Sequence, residues 1–104
     1  MPSYLVESYL PREKDSLAQA SEHARQAARL ADHEGLGVRY VRTTFLKADE
    51  TCFHVFDADS LEELESALRS VRLEADRIVT ADETSAADFA PTEAVSVSSK
   101  GATT

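Results

Sequence analysis

Two residues in the stretch TCFHVF, Cys52 and His54, and a third near the start, Glu7 in YLVESYL, are of types that do chemistry. An imidazole ligates nickel, zinc or copper, and near neutral pH it takes or gives a proton. Residues two apart on a strand share a face. A Cys-x-His pair can therefore offer two donors to one metal ion, with Glu7 as a third. The same residues suit proton transfer. His54 would be the general base or acid, Glu7 would orient it, and Tyr9, Tyr40 and Arg42 would hold a ligand. The plainer alternative makes Cys52 a small buried hydrophobe, His54 a hydrogen-bonded interface residue and Glu7 an ion-pair partner of Arg42 or Arg39.

Other candidates carry less. His23 and His33 lie ten residues apart on one expected helix, where only i, i+3 and i+4 neighbours meet, so they read as surface histidines. Asp57 and Asp59 lack the dense acidic series of a calcium loop. Glu62, Glu63 and Glu65 read as a helix start that suits the positive end of the dipole. No Walker A, G-x-G-x-x-G or G-x-S-x-G pattern occurs, which leaves nucleotide-dependent and serine-hydrolase chemistry unsupported. A single cysteine excludes an internal disulfide framework.

These residues need elements to position them. Tyr4 to Leu10 is rich in β-branched and aromatic residues and ends at Pro11, which predicts a strand. Ser16 with Gln19 fits a capping box. From Leu17 the apolar positions Ala20, Ala24, Ala27, Ala28 and Ala31 recur at helical spacing, and Gly35 suits the residue that closes a helix. Val38 to Leu46 and Thr51 to Phe56 read as a hairpin around Lys47–Glu50. Ser60 with Glu63 caps a second helix whose stripe is Leu61, Leu64, Leu68 and Val71. Arg77 to Ala81 reads as the last strand. The order βαββαβ is the ferredoxin-like arrangement, an α+β fold with a four-stranded antiparallel sheet and both helices on one face.

Period-two counting then assigns faces. Phe53 and Val55 are expected under the helices, with Val41 and Phe45. That leaves Cys52, His54 and Phe56 on the open face with Leu5, Glu7, Tyr9, Tyr40, Arg42 and Thr44. On this reading Glu7 and His54 are neighbours there. An open face carrying Leu5, Tyr9, Tyr40 and Phe56 calls for a cover, and a second copy packed sheet to sheet around a two-fold is the simplest one.

The chain has 104 residues, enough for one domain, with 19 acidic and 11 basic residues and a formal net charge of −8. That balance disfavours nucleic acid and anionic membranes as partners. The segment 84–104 has 13 Ala, Ser or Thr among its 21 residues. It is expected to be a disordered tail to a folded domain over 2–83. Met-Pro-Ser-Tyr lacks the plan of a signal peptide, and no apolar run is long enough to span a bilayer, so a cytoplasmic protein is expected.

The stretches YLVESYLP, VRYVRTTFLKADETCFHVFDADSLEEL and LEADRIV together resemble a small bacterial family common in actinobacteria. Its best-described member is a nickel-binding dimer with a ferredoxin-like fold. The resemblance covers about residues 2–83 and implies that fold, and with it nickel binding as a homodimer. The sequence departs from the family in two places. Arg72-Leu73-Glu74 stands where relatives often have a Gly-aromatic-Pro turn. Ser66-Ala67-Leu68 stands where some carry a helical histidine, so a nickel site built on that histidine is not kept. Three functions follow as expectations: a small metal-binding protein; a cofactor-free enzyme of isomerase, cyclase or monooxygenase type acting on a small organic molecule in the sheet cavity; or an interaction module without chemistry.

Overall fold

A computed structural model describes residues 1–12 and 16–82; the expected tail lies outside the described residues. Strands β1 (Ser3–Tyr9), β2 (Val38–Leu46), β3 (Thr51–Ala58) and β4 (Arg77–Ala81) alternate with helices α1 (Leu17–His33) and α2 (Leu61–Ser70) in the order βαββαβ. The sheet runs β2-β3-β1-β4, and every neighbouring pair is antiparallel. This is the ferredoxin-like fold expected from the sequence.

Local chemistry explains where the helices end. At α2 the Ser60 hydroxyl accepts from the Glu63 amide at 3.1 Å. The Glu63 carboxylate does not close the box on Ser60 but accepts from the Gly37 amide at 2.7 Å, tying α2 to the loop before β2. A Cβ on Gly37 would lie 2.0 Å from Asp59 Oδ2, so glycine permits this close approach. Ser16 precedes α1 but makes no side-chain cap bond, unlike the expected capping box. Both helices close in Schellman motifs. At α1, Leu36 and Gly35 donate to Ala31 and Asp32 carbonyls, with Gly35 at φ 78°. At α2, Leu73 and Arg72 donate to Leu68 and Arg69 carbonyls, and Arg72 takes the left-handed position at φ 58°.

The core lies between the helices and one sheet face. Ala24, Ala27 and Ala31 of α1 and Leu64, Ala67 and Leu68 of α2 pack on Tyr4, Val6, Val38, Phe56 and Ala58. Small side chains on α1 let it lie close to the sheet. Burying a residue such as Leu64 contributes ~1.5–3 kcal/mol. Leu17 and Leu61, the first residues of their helices, stay largely exposed.

Strand faces depart from the sequence expectation. The cross-strand partners Tyr4 and Phe56, Val6 and His54, and Ser8 and Cys52 all lie on the helix-covered side. Cys52, His54 and Phe56 are therefore under the helices, and Phe53 and Val55 are on the open face beside Glu7 and Leu5. In β2 the register jumps between Tyr40 and Arg42, so Val41 is an inserted residue. Before the bulge, Val38 and Tyr40 face the helices; after it, Thr43 and Phe45 do. Tyr40 is thus beneath α1 rather than on the open face, and Val41 is 37% exposed rather than in the core.

Candidate functional site

The face reversal moves the site. His54 is 2% exposed and is the buried polar side chain among the described residues. It sits with Cys52, itself 1% exposed, in the wall of a cavity of about 390 Å³ between the sheet, α1 and the α2–β4 loop. The wall also includes Ser8 and Tyr9 of β1 with the adjoining Leu10, Gln19, Ala20 and His23 of α1, and Arg72 to Glu74.

Burial pushes the His54 pKa down from 6.5 to about 4, with His23 nearby adding to the effect. The imidazole is therefore neutral at physiological pH. Burial pushes the Cys52 thiol up, so it stays protonated. The sulfur lies 3.8 Å from His54 Nε2, a long contact. The other ring nitrogen, Nδ1, is 2.8 Å from Thr43 Oγ1. The Thr43 hydroxyl is 2.7 Å from Tyr40 OH, which is 3.0 Å from Ser21 Oγ on α1. Tyr40 is held edge-on to Phe56 with ring centres 5.9 Å apart, and the Arg25 guanidinium lies 5.3 Å from its ring centre.

Two further contacts shape the wall. His23 Nε2–H donates to the Val71 carbonyl at 2.6 Å; the carbonyl can only accept, which places the ring proton on Nε2. His23 is half-buried here, not a plain surface histidine. The Ser8 hydroxyl donates to the Glu74 carbonyl at 2.8 Å, fastening the loop across the cavity.

Of the residues expected to form a site, Cys52 and His54 come together, and Tyr40 joins them through Thr43. Tyr9 lines the same cavity, whereas Glu7 and Arg42 do not. Glu7 pairs with Phe53 and Arg77 in the sheet and shares their open face, the side away from His54. Arg42 is opposite Val55 on that same face. Tyr9 is 63% exposed, and its hydroxyl points to Glu50. The three-donor set Cys52, His54 and Glu7 is therefore not assembled, because the sheet stands between the carboxylate and the other two. Among the described residues no three His, Cys, Asp or Glu side chains gather as one metal site. Ser8, Ser21, His23 and Thr43 were not expected at the site. The signal for Thr43 would have been a bulge at Val41, which period-two counting passes over.

The chain matches no family model and no curated protein. Among solved structures it is similar to SCO4226 of Streptomyces coelicolor A3(2), with a TM-score of 0.57 at 15% identity over 80% of this chain and 99% of that one. Likeness at this identity shows a shared fold. No helix among the described residues is long and apolar enough to cross a membrane.

Proposed function

We propose that this protein binds a small organic molecule in the cavity over His54, with the neutral imidazole as its polar anchor and proton acceptor. The observation that carries this is that His54 lines a cavity of about 390 Å³ while its Nε2 has only the Cys52 sulfur, at 3.8 Å, for a partner. That volume lies in the range of ligand sites. Leu10, Ala20 and Leu73 supply apolar wall. A ring carrying an acidic hydroxyl matches this chemistry, donating its O–H to Nε2. Conversion of such a ligand by an isomerase, cyclase or monooxygenase type of reaction would use His54 as the base. Titration with phenol and 2-naphthol, followed by the ring ¹⁵N signals of His54, tests the reading. Phenols should shift those signals and toluene should not. No shift with any phenol at millimolar concentration would remove it.

A second reading keeps the expected nickel binding, moved from the open face to the helix side. The Cys52 sulfur and His54 Nε2 are two of the four donors that a square-planar nickel site needs. The family resemblance supports it; the separation of Glu7 counts against it. Calorimetric titration with Ni²⁺ of wild type and His54→Ala decides it, since binding must vanish in the variant.

The homodimer belongs to the same proposal. Leu5, Phe53 and Val79, around the already buried Val55, form an apolar band on the open face, in place of the Tyr40 and Phe56 expected there. A second copy packed on this band would remove it from water. Light scattering should give about twice 11.4 kDa, and a monomer would sink this part.

A further inference from the structure

Four successive contacts run from the cavity, through the sheet layer beneath α1, to the far side of that helix. Cys52 Sγ meets His54 Nε2, His54 Nδ1 meets Thr43 Oγ1, Thr43 Oγ1 meets Tyr40 OH, and Tyr40 OH meets Ser21 Oγ. Ser21, Tyr40 and Thr43 also line a separate groove, with Leu17, Arg25 and Val41, on the other flank of the helix. Each member of the chain can both donate and accept. One polarity runs Cys52 to Ser21, with Nδ1 protonated. The opposite polarity runs Ser21 to Cys52, with Nε2 protonated. Every hydrogen bond is satisfied in either.

We propose that Thr43, Tyr40 and Ser21 are a proton path that connects the buried imidazole of His54 to the groove beside Arg25. The proposal deepens the reading of His54 as a proton acceptor and rests on it. The step balances as follows. A ligand O–H proton goes to Nε2 while the Nδ1 proton passes to Thr43 Oγ1. The Thr43 proton passes to the Tyr40 oxygen, the Tyr40 proton to Ser21, and the Ser21 proton to a water in the groove. The ligand loses one proton, the groove water gains it, and all four side chains end neutral. The path lets the cavity close on an apolar ligand without stranding a proton, since solvent is reached from behind the imidazole rather than past the ligand. Ordered chains of this kind are also mutually polarising, which favours their holding together. Thr43, Tyr40 and Ser21 are positioning residues here and touch no ligand.

The test uses the full chain with no ligand, so it fails or succeeds apart from phenol binding. The exchange of the His54 ring N–H with water is measured by ¹⁵N-resolved NMR at pH 7.5. Tyr40→Phe keeps the ring between Arg25 and Phe56 and removes only the oxygen; Thr43→Val removes the adjacent link. The expected result is exchange slowed tenfold or more at His54 in both. The His23 N–H, bonded to the Val71 carbonyl, is the internal control and should keep its rate. Unchanged His54 exchange in Tyr40→Phe overturns the proposal. So does equal slowing at His23, which would report a general stiffening of the fold. If Thr43→Val does not fold, Tyr40→Phe alone decides.

Discussion

Val6 of β1 and His54 of β3 are cross-strand partners on the side of the sheet that the helices cover. Val6 is fully buried, and the Phe56 ring centre is 6.4 Å from the imidazole. Hydrocarbon on these sides cannot solvate a charge, which is why the His54 pKa falls to about 4.

That depression makes stability depend on pH. The unfolded chain protonates His54 near 6.5 and the folded chain near 4. Between these values the unfolded state holds the extra proton. The contribution of a neutral buried His54 is therefore complete above pH 6.5 and is lost as pH falls to 4, by ~3 kcal/mol. Urea unfolding at a series of pH values should show this slope, and His54→Gln should flatten it. A flat wild-type profile in that window would contradict the burial.

The two helix starts should respond differently to the same change. Ser60→Ala removes an acceptor from the Glu63 amide and should cost ~1 kcal/mol. Ser16→Ala removes no cap bond and should cost little. Paired denaturant melts compare the two directly, and equal losses would refute the distinction.

Ala27 is fully buried in the layer between α1 and the sheet. Ala27→Leu has no space to enter without lifting α1, and should destabilise by ~1–3 kcal/mol. The same substitution at exposed Ala18 should be nearly silent. Thermal unfolding of the two variants checks the difference.

Arg72 holds a left-handed backbone position at φ 58° as the residue that closes α2. A side chain there costs ~1–2 kcal/mol, part of which glycine gives back through its freer unfolded chain. Arg72→Gly should therefore raise stability by ~0.5–1 kcal/mol. A lowered urea midpoint would mean that the Arg72 side chain holds the loop in a way its backbone does not reveal.

Element order was readable because turn chemistry marks each boundary locally. Gly35 closes α1 at φ 78°, and Ser60 opens α2 through Glu63. Facing was not readable in β3 because both of its faces are apolar. Cys52, His54 and Phe56 alternate with Phe53 and Val55, and a central strand with apolar residues on both faces loses the polar contrast that period-two counting needs. Period-two counting alone favours the purely aliphatic and aromatic set for the helix side. The narrow α1 layer instead accommodates an imidazole, because Thr43 and Cys52 partner both of its nitrogens. In β1 the carboxylate of Glu7 supplied the missing contrast, and its open-face placement agrees with the structure. In β2 the error at Tyr40 and Val41 came from one inserted residue, which changes parity without leaving a mark in composition.

The bulge at Val41 has a consequence for descent and engineering. In a regular strand, residues three apart point to opposite sides, so Tyr40 and Thr43 could never touch. Their 2.7 Å contact exists because the strand carries one residue more than its partner. Facing against β3, not spacing in the sequence, is then the heritable mark of this arrangement. A homologue with the same tyrosine and threonine at the same spacing but a regular strand would have an isolated imidazole, since the two hydroxyls would lie on opposite faces. A relative with different hydroxyl-bearing residues at unchanged facing could still complete the connection. Loss of Val41 alone would therefore leave the facing of β2 intact, because without the inserted residue Tyr40 and Thr43 stand two apart on one side of a regular strand, whereas straightening the bulge at unchanged length would turn one end of β2 inside out.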